Sequence, residues 1–432
     1  MQTASKKVVN GWAMYDWANS VYNLVITTTF FPIYFLAVTG GSDKGHVVNF
    51  LGRNFINSSL YDYTLAVAYL IIAALYPILT SIADTRGNKK SFMRFFCYMG
   101  AIGCSTLVFF KEHTLGLGII AFMLAAMGWV GSLVFYNAYL PEIAAPEDRD
   151  RISAKGFSYG YVGSVLMQIV GFLLVLLMSD KALATRITFL LVGIWWIGFA
   201  QIAFARLPKA VIKPAEKGNV LKDGFAEIKK VYKQVAGMPV LKRFLRGFFF
   251  YSMAVQTVML AATIFGSKVL KLPDTKLIVT VVIIQLVAII GAWSMSRLSM
   301  KYGNLKVLMA VILIWILICV AAYYTASLAE QGINAEYYFY GLAVGVGLVM
   351  GGIQSLSRST YSKLMPETKD TSSFFSYYDT TEKVAIVIGI FSFGFIEEVT
   401  GSMKNSLLSL IVFFTIGFLW LYAALRKQQQ TA

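Results

Sequence analysis

The sequence predicts an all-α, polytopic membrane protein, and three observations predict it. Hydrophobic residues make up 57% of the 432-residue chain and charged residues only 14%, against about 25% charged in ordinary soluble domains. Apolar runs long enough to cross a hydrocarbon core, roughly 20 residues each, recur along the whole length. The basic residues fall in the gaps between those runs. Helices are the expected spanning form, because a backbone in lipid must satisfy its own hydrogen bonds.

About 12 spans follow in order: 12–38, 61–83, 92–110, 115–138, 156–178, 187–205, 244–265, 277–295, 307–327, 337–357, 374–396 and 406–425. An even number puts both termini on one face. Of the 38 Lys and Arg, 28 fall on that face, nine on the other, and Lys383 within a span. That bias predicts a multi-pass protein of the cell inner membrane with both termini cytoplasmic. It also accounts for the net charge of +16 without a nucleic-acid partner.

The first run follows Lys6 and Lys7 as in a signal peptide, but Asp16, Asn19 and Asn23 interrupt it and no small-residue cleavage site follows. It reads as a retained helix. Cys97, Cys104 and Cys319 lie inside apolar runs without disulfide or zinc spacing, so they read as core residues. His46 and His113 sit in outer loops with no ligand spacing, and no metal or cofactor is expected. No glycine-rich loop ending in Lys-Ser or Lys-Thr is present to drive an ATP-powered pump.

The longest connection, 207–243, divides the chain into an N-terminal six-helix half (1–206) and a C-terminal one (244–432). With the flanking Arg206 and Arg246 it holds eleven basic residues. Within it Leu221, Phe225, Ile228, Tyr232 and Val235 recur at helical spacing, which predicts an amphipathic helix on the membrane or the bundle; a solvated linker helix is the alternative. The halves echo each other. Residues 136–142 read Y-N-A-Y-L-P-E and 361–367 read Y-S-K-L-M-P-E, each followed by an F-S-Y triplet opening the next span. Gly87-Asn88-Lys89-Lys90 after the second span matches Gly303-Asn304-Leu305-Lys306 after the eighth. Three matches in the same order indicate duplication.

The loop Asp84-Thr85-Arg86-Gly87-Asn88-Lys89-Lys90 joins the second and third spans. Gly87 permits a tight turn there, and the basic residues hold the loop at the cytoplasmic face. It resembles the signature loop of the major facilitator superfamily. The resemblance implies a major facilitator fold, two six-helix bundles around a central site, with the acid locking the halves by meeting the N-terminus of the eleventh helix near Ser372 and Ser373. A simple positive-inside turn is the alternative. The second copy carries Met300 where the acid would stand, which argues against a symmetric lock.

A narrower resemblance covers nearly the whole chain. Tyr15-Asp16-Trp17-Ala18-Asn19-Ser20, Leu140-Pro141-Glu142, Gly352-Ile353-Gln354-Ser355-Leu356-Ser357-Arg358-Ser359 and Tyr378-Asp379 resemble the pattern of the autophagy-related vacuolar amino-acid effluxers and their bacterial relatives. It implies small-solute efflux, with amino acids the substrate class in eukaryotic members. Many relatives carry an acid near the start of the seventh helix; this chain reads Tyr251-Ser252-Met253-Ala254, so coupling must use another residue.

Asp16, Asn19, Asn23 and Thr27 fall on one stripe of the first helix. A central charge in a membrane helix costs roughly 2.5–3.5 kcal/mol on insertion scales, so the stripe is expected to face a wet cavity or a packing cluster between helices. On the eleventh helix Asp379 and Lys383 stand one turn apart, spaced to pair, with Glu382 between them. Arg358, after Gln354 at the end of the tenth, is placed to meet an anionic group such as a carboxylate or to snorkel. Glycines of the fifth and tenth spans predict close helix packing. The expected function is secondary transport of a small polar solute by a monomer, with Asp16, Asn19, Asn23, Gln354, Arg358, Asp379, Glu382 and Lys383 as substrate or coupling residues. The driving force would be a proton or the solute gradient itself, and Asp84, Arg86, Gly87, Lys89 and Lys90 would form the gate. The alternative from another class is a membrane-embedded enzyme acting on lipid or prenyl substrates, for which the chain lacks clustered acids.

Overall fold

A computed structural model of the chain describes residues 2–40, 46–208 and 220–431. A helix covers each expected span: α1 (Lys6–Val38), α2 (Asn57–Arg86), α3 (Lys89–Thr106), α4 (Leu115–Ala138), α5 (Arg149–Leu177), α6 (Lys181–Arg206), α7 (Pro239–Lys268), α8 (Asp274–Tyr302), α9 (Asn304–Glu330), α10 (Glu336–Leu364), α11 (Thr371–Thr400) and α12 (Met403–Thr431). Eleven are long and apolar enough to cross a membrane by length and composition among the described residues. The exception is α11, whose 30 residues suffice in length but whose Asp379, Glu382 and Lys383 interrupt the apolar run.

The duplication seen in the sequence is repeated in the packing. α1 packs on α5 and α6, α3 on α4 and α6, α2 on α4, and α5 on α6; each pair recurs six helices later as α7 on α11 and α12, α9 on α10 and α12, α8 on α10, and α11 on α12. Between the halves α5 packs on α8 and α10, while α11 packs on α2 and α4, and these contacts also interchange under the same shift. Some of the expected glycine faces are used. A Cβ on Gly347 would lie 2.6 Å from the Ile284 carbonyl of α8, and one on Gly163 2.8 Å from the Trp17 carbonyl of α1, so backbones approach there as only glycine allows. Gly341 has nothing within 4 Å and takes no part.

Two features depart from the sequence reading. First, α1 is π-helical over Tyr22–Phe30, immediately before Pro32. A proline ring clashes with the carbonyl four residues back and removes one helical bond, and widening the preceding turn relieves both. The displaced carbonyls are satisfied by side chains, as a membrane interior requires: Leu24 O accepts from Thr28 Oγ1 (2.8 Å), Thr29 Oγ1 (2.8 Å) and Gln168 Nε2 (3.0 Å), and Thr27 O accepts from Tyr61 Oη (2.7 Å). Second, the α1–α2 connection holds a hairpin, β1 (Val47–Phe50) paired antiparallel with β2 (Arg53–Ile56). Its turn residues Leu51 and Gly52 both have positive φ, 51° and 76°, the backbone of a two-residue hairpin turn matched to strand twist.

The linker contains the expected helix, Val220–Ala236, packed across the ends of α2, α7 and α11. Its inner face is Val231 and Val235, both buried, while Tyr232, expected on that face, is exposed. The side chains of Leu221, Phe225 and Ile228 lie outside the described residues. Lys230 donates to Asp370 at 2.7 Å, just before α11, and that bond holds its ammonium above the usual lysine range.

Candidate functional site

The stripe of α1, the end of α10 and the middle of α11 converge on one chamber between the halves, of about 150 Å³. Asp16, Asn19, Asn23, Gln354, Arg358, Asp379, Glu382 and Lys383 all line it. Thr27 lines it too, because the widened π turn still leaves that stripe inward.

At the chamber floor Arg358 crosses from the second half into the first. Its Nη1 and Nη2 each donate to Asp16 Oδ2 at 3.3 Å, Nη1 also to Asn137 Oδ1 at 3.3 Å, Nε to Ser153 Oγ at 3.0 Å, and Nη2 to Ser153 O at 2.9 Å. The rings of Phe157 and Trp12 stand 4.2 and 4.8 Å from the guanidinium carbon, and Tyr136 Oη donates to the same Asp16 oxygen at 2.7 Å. Every guanidinium nitrogen is engaged inside the protein, so Arg358 does not snorkel; the anionic group it meets is Asp16. Asp16 is likewise buried, 4% exposed, so it is not a shallow, solvated acid. The arrangement requires Gly156, where a Cβ would lie 2.5 Å from Asp16 Oδ2, 2.9 Å from Tyr136 Oη and 3.0 Å from Arg358 Nη2. Gly156→Ala is therefore expected to destabilise the protein by about 1–3 kcal/mol. Gly198→Ala on α6, with nothing within 4 Å, should be neutral or stabilising. Thermal unfolding of both in detergent checks the contrast; equal behaviour would remove the steric argument.

Asn137 carries the chain of contacts onward. Its Nδ2 donates to Asp379 Oδ1 at 3.3 Å, while Asp379 Oδ2, buried, has no hydrogen-bond partner. The expected Asp379–Lys383 pair is not formed. Lys383 bonds instead to Glu382 at 2.5 Å and lies 5.8 and 5.6 Å from the rings of Tyr69 and Trp129. Lys383 reaches across to α2 and α4, so its ammonium is spent on the neighbouring carboxylate and these ring faces. Glu382 also accepts from Gln256 of α7 at 3.4 Å. Asn19 Nδ2 and Thr27 Oγ1 are buried without partners as well, and buried orphans of this kind call for a ligand or water.

Between the chamber and the face that bears both termini, hydrogen bonds join the halves. Asp84 Oδ2 accepts from Ser373 N (2.8 Å) and Oγ (2.9 Å), and Oδ1 from Ser372 N (3.2 Å), so the acid sits on unpaired donors at the start of α11. Gly87 ends α2 at φ 67°. Lys89 pairs with Glu142 and donates to Thr371 Oγ1 at 2.8 Å, which gives the L-P-E motif its contact. Lys90 bonds the carbonyls of Phe204 (3.0 Å) and Leu207 (2.7 Å) at the end of α6, and Arg86 makes no hydrogen bond or ion pair among the described residues. In the second copy Met300 stands where the acid would be, and the halves are bonded there through an acid of the other half. Asp150, at the start of α5, accepts from Ser299 Oγ (2.8 Å), Asn304 Nδ2 (2.7 Å) and Lys363 Nζ (2.6 Å).

Sequence reasoning missed Asn137, Tyr136, Ser153 and Asp150. Asn137 had a signal, a polar residue within the repeated Y-N-A-Y-L-P-E string; Asp150 had none, lying in an ordinary charge run.

The family model described as vacuole effluxer Atg22 like matches residues 4–431. An uncharacterised MFS-type transporter of Bacillus subtilis is 30% identical over 95% of this chain and 93% of its own length. Autophagy-related protein 22 of Eremothecium gossypii is 25% identical over 95% of this chain and 89% of its own. Among solved structures, the human organic anion transporter MFSD10 superposes with a TM-score of 0.70 at 10% identity, covering 96% and 98% of the two chains. The Escherichia coli fucose:proton symporter does so with 0.67 at 14%, covering 97% of each. Those structures share the major facilitator fold. With a family model spanning the chain and a bacterial relative aligned almost end to end, this multi-pass membrane protein belongs to the Atg22-like vacuole effluxer family of major facilitator transporters.

Proposed function

We propose that the chain is a secondary active transporter that moves a small polar solute, an amino acid, out of the cell by alternating access, with a proton as the coupling ion. The observation that carries this reading is the chamber itself: buried polar side chains from α1, α4, α10 and α11, drawn from both halves, enclose a space large enough for a small solute and hold polar atoms without partners. Such groups are expensive in a bilayer, and where they face a shared interior they mark solute and ion pathways. The rocking bodies are 1–206 and 244–432, joined by 207–243, in the inner membrane as a monomer with both termini in the cytoplasm. The Asp84 and Asp150 contacts then latch the halves on the cytoplasmic face and release when the chamber turns inward.

Reconstitution tests it. Liposomes containing the protein and loaded with radiolabelled amino acids should lose label faster than empty controls, and an imposed proton gradient should change the rate. No movement of any amino acid or other small solute under any gradient would overturn the proposal.

A further inference from the structure

We propose that the chamber selects solutes bearing a protonated amine, and that Asp379 Oδ2 receives it; this rests on the chamber being the solute site. Among the described residues three acids line the chamber, Asp16, Asp379 and Glu382, against two bases, Arg358 and Lys383. Both bases are spent. Arg358 is held at 3.3 Å on Asp16 and Lys383 at 2.5 Å on Glu382. Asp379 is the surplus acid, 2% exposed, with one oxygen on Asn137 and the other without a partner. A buried carboxylate with one oxygen left without a donor is costly, and a bound cation at that oxygen offsets the cost.

The chemistry of the lining narrows the cation. Asn137 turns its oxygen to Arg358 and presents its Nδ2 to Asp379, placing a donor where a metal ion would need a further oxygen ligand. Phe248, Tyr251 and Tyr378 contribute aromatic surface to the same chamber, which suits an organic ammonium. Among the described residues a carboxylate on the solute finds no free cation, since the guanidinium nitrogens all donate within the protein and Lys383 is held on Glu382. It finds only neutral donors, and Asn19 Nδ2 is one that has no partner. The geometry therefore fits amines and zwitterions and disfavours solutes whose only charge is negative.

The test uses the purified full-length protein and matched sets of an amino acid, its amide and its N-acetyl form, with apolar, acidic and basic side chains. Binding is measured by calorimetry and by thermal stabilisation. For at least one side chain the free amine forms should bind at least about tenfold more tightly than the N-acetyl form, the difference expected for one charge-assisted contact. Asp379→Asn should abolish that ratio, and Asp379→Glu should keep part of it. Sodium chloride without an amine should not stabilise the protein. Equal binding of N-acetyl forms, no binding of any amine, stabilisation by sodium alone, or an unchanged ratio in Asp379→Asn would each overturn the inference; the parent protein's panel decides even if a variant fails to fold. Transport of an amine-free solute would sink the amine site and leave the transporter reading standing. Amine binding dependent on Asp379 without movement in liposomes would do the reverse.

Discussion

Replacing Arg358 with methionine destabilises the folded protein by about 3–5 kcal/mol, the cost of stranding the partner of a buried ion pair, and stops transport. Asp16 would be left at 4% exposure with Tyr136 as its remaining donor, and Ser153 and Asn137 would lose theirs. Asp16→Asn combined with Arg358→Met should recover much of the stability, because the pair's joint removal strands no charge. Its transport should stay low, since the ion pair crossing the chamber floor would be gone. Unfolding in detergent, followed by the fluorescence of Trp12 and its neighbours, reports the first quantity, and efflux from liposomes the second. A single variant as stable as the parent would show that water solvates the Asp16 site and that the pair is incidental.

Asp84→Ala opens the face that bears the termini. It takes away the carboxylate that bridges α2 and α11 and leaves two backbone donors and one hydroxyl without their acceptor. Contacts to a charged group are worth about 1.5–3 kcal/mol each where the partner is left unmet, but water reaches this face once it parts, so the net effect is smaller. An increase of at least about tenfold in the open-to-closed ratio is expected, equivalent to about 1.4 kcal/mol. Spin labels on cysteines placed at Thr85 and Lys369, on opposite sides of the seam, read it as a longer distance. Asp150→Asn should act in the same direction through Ser299, Asn304 and Lys363. An unchanged distance distribution in both would leave the fold intact and remove the gate.

The legible part of the site follows from solvation. Asp16, Asn19 and Asn23 stood out because a polar stripe inside an apolar run has few places to go but a shared interior, and the chamber is that interior. The position of Asp84 against Ser373 was legible only through the resemblance of its loop to the major facilitator signature; the attraction of an acid to unpaired donors at a helix start is why the contact forms. What failed was partner choice. Lys383 was matched to Asp379 by spacing along one helix, yet it turned to Glu382 and to rings on α2 and α4. Asp150 was passed over because nothing local separates a buried acid from its exposed neighbours in a charge run. The π segment was missed although Pro32 announced a disturbance, since a proline admits several repairs and the neighbouring Gln168 and Tyr61 selected this one.

The sequence by itself determined the helical class, the count and order of the spans, the duplication of the halves and which polar residues had to be sheltered. These depend on hydropathy and period, which are properties of contiguous residues. Tertiary structure alone decided that Arg358 closes on Asp16, that Asn137 links that pair to Asp379, and that one oxygen of Asp379 remains without a partner. Those outcomes turn on distances between side chains up to several hundred residues apart, and on how completely each is stripped of water, quantities that exist only once the helices have packed.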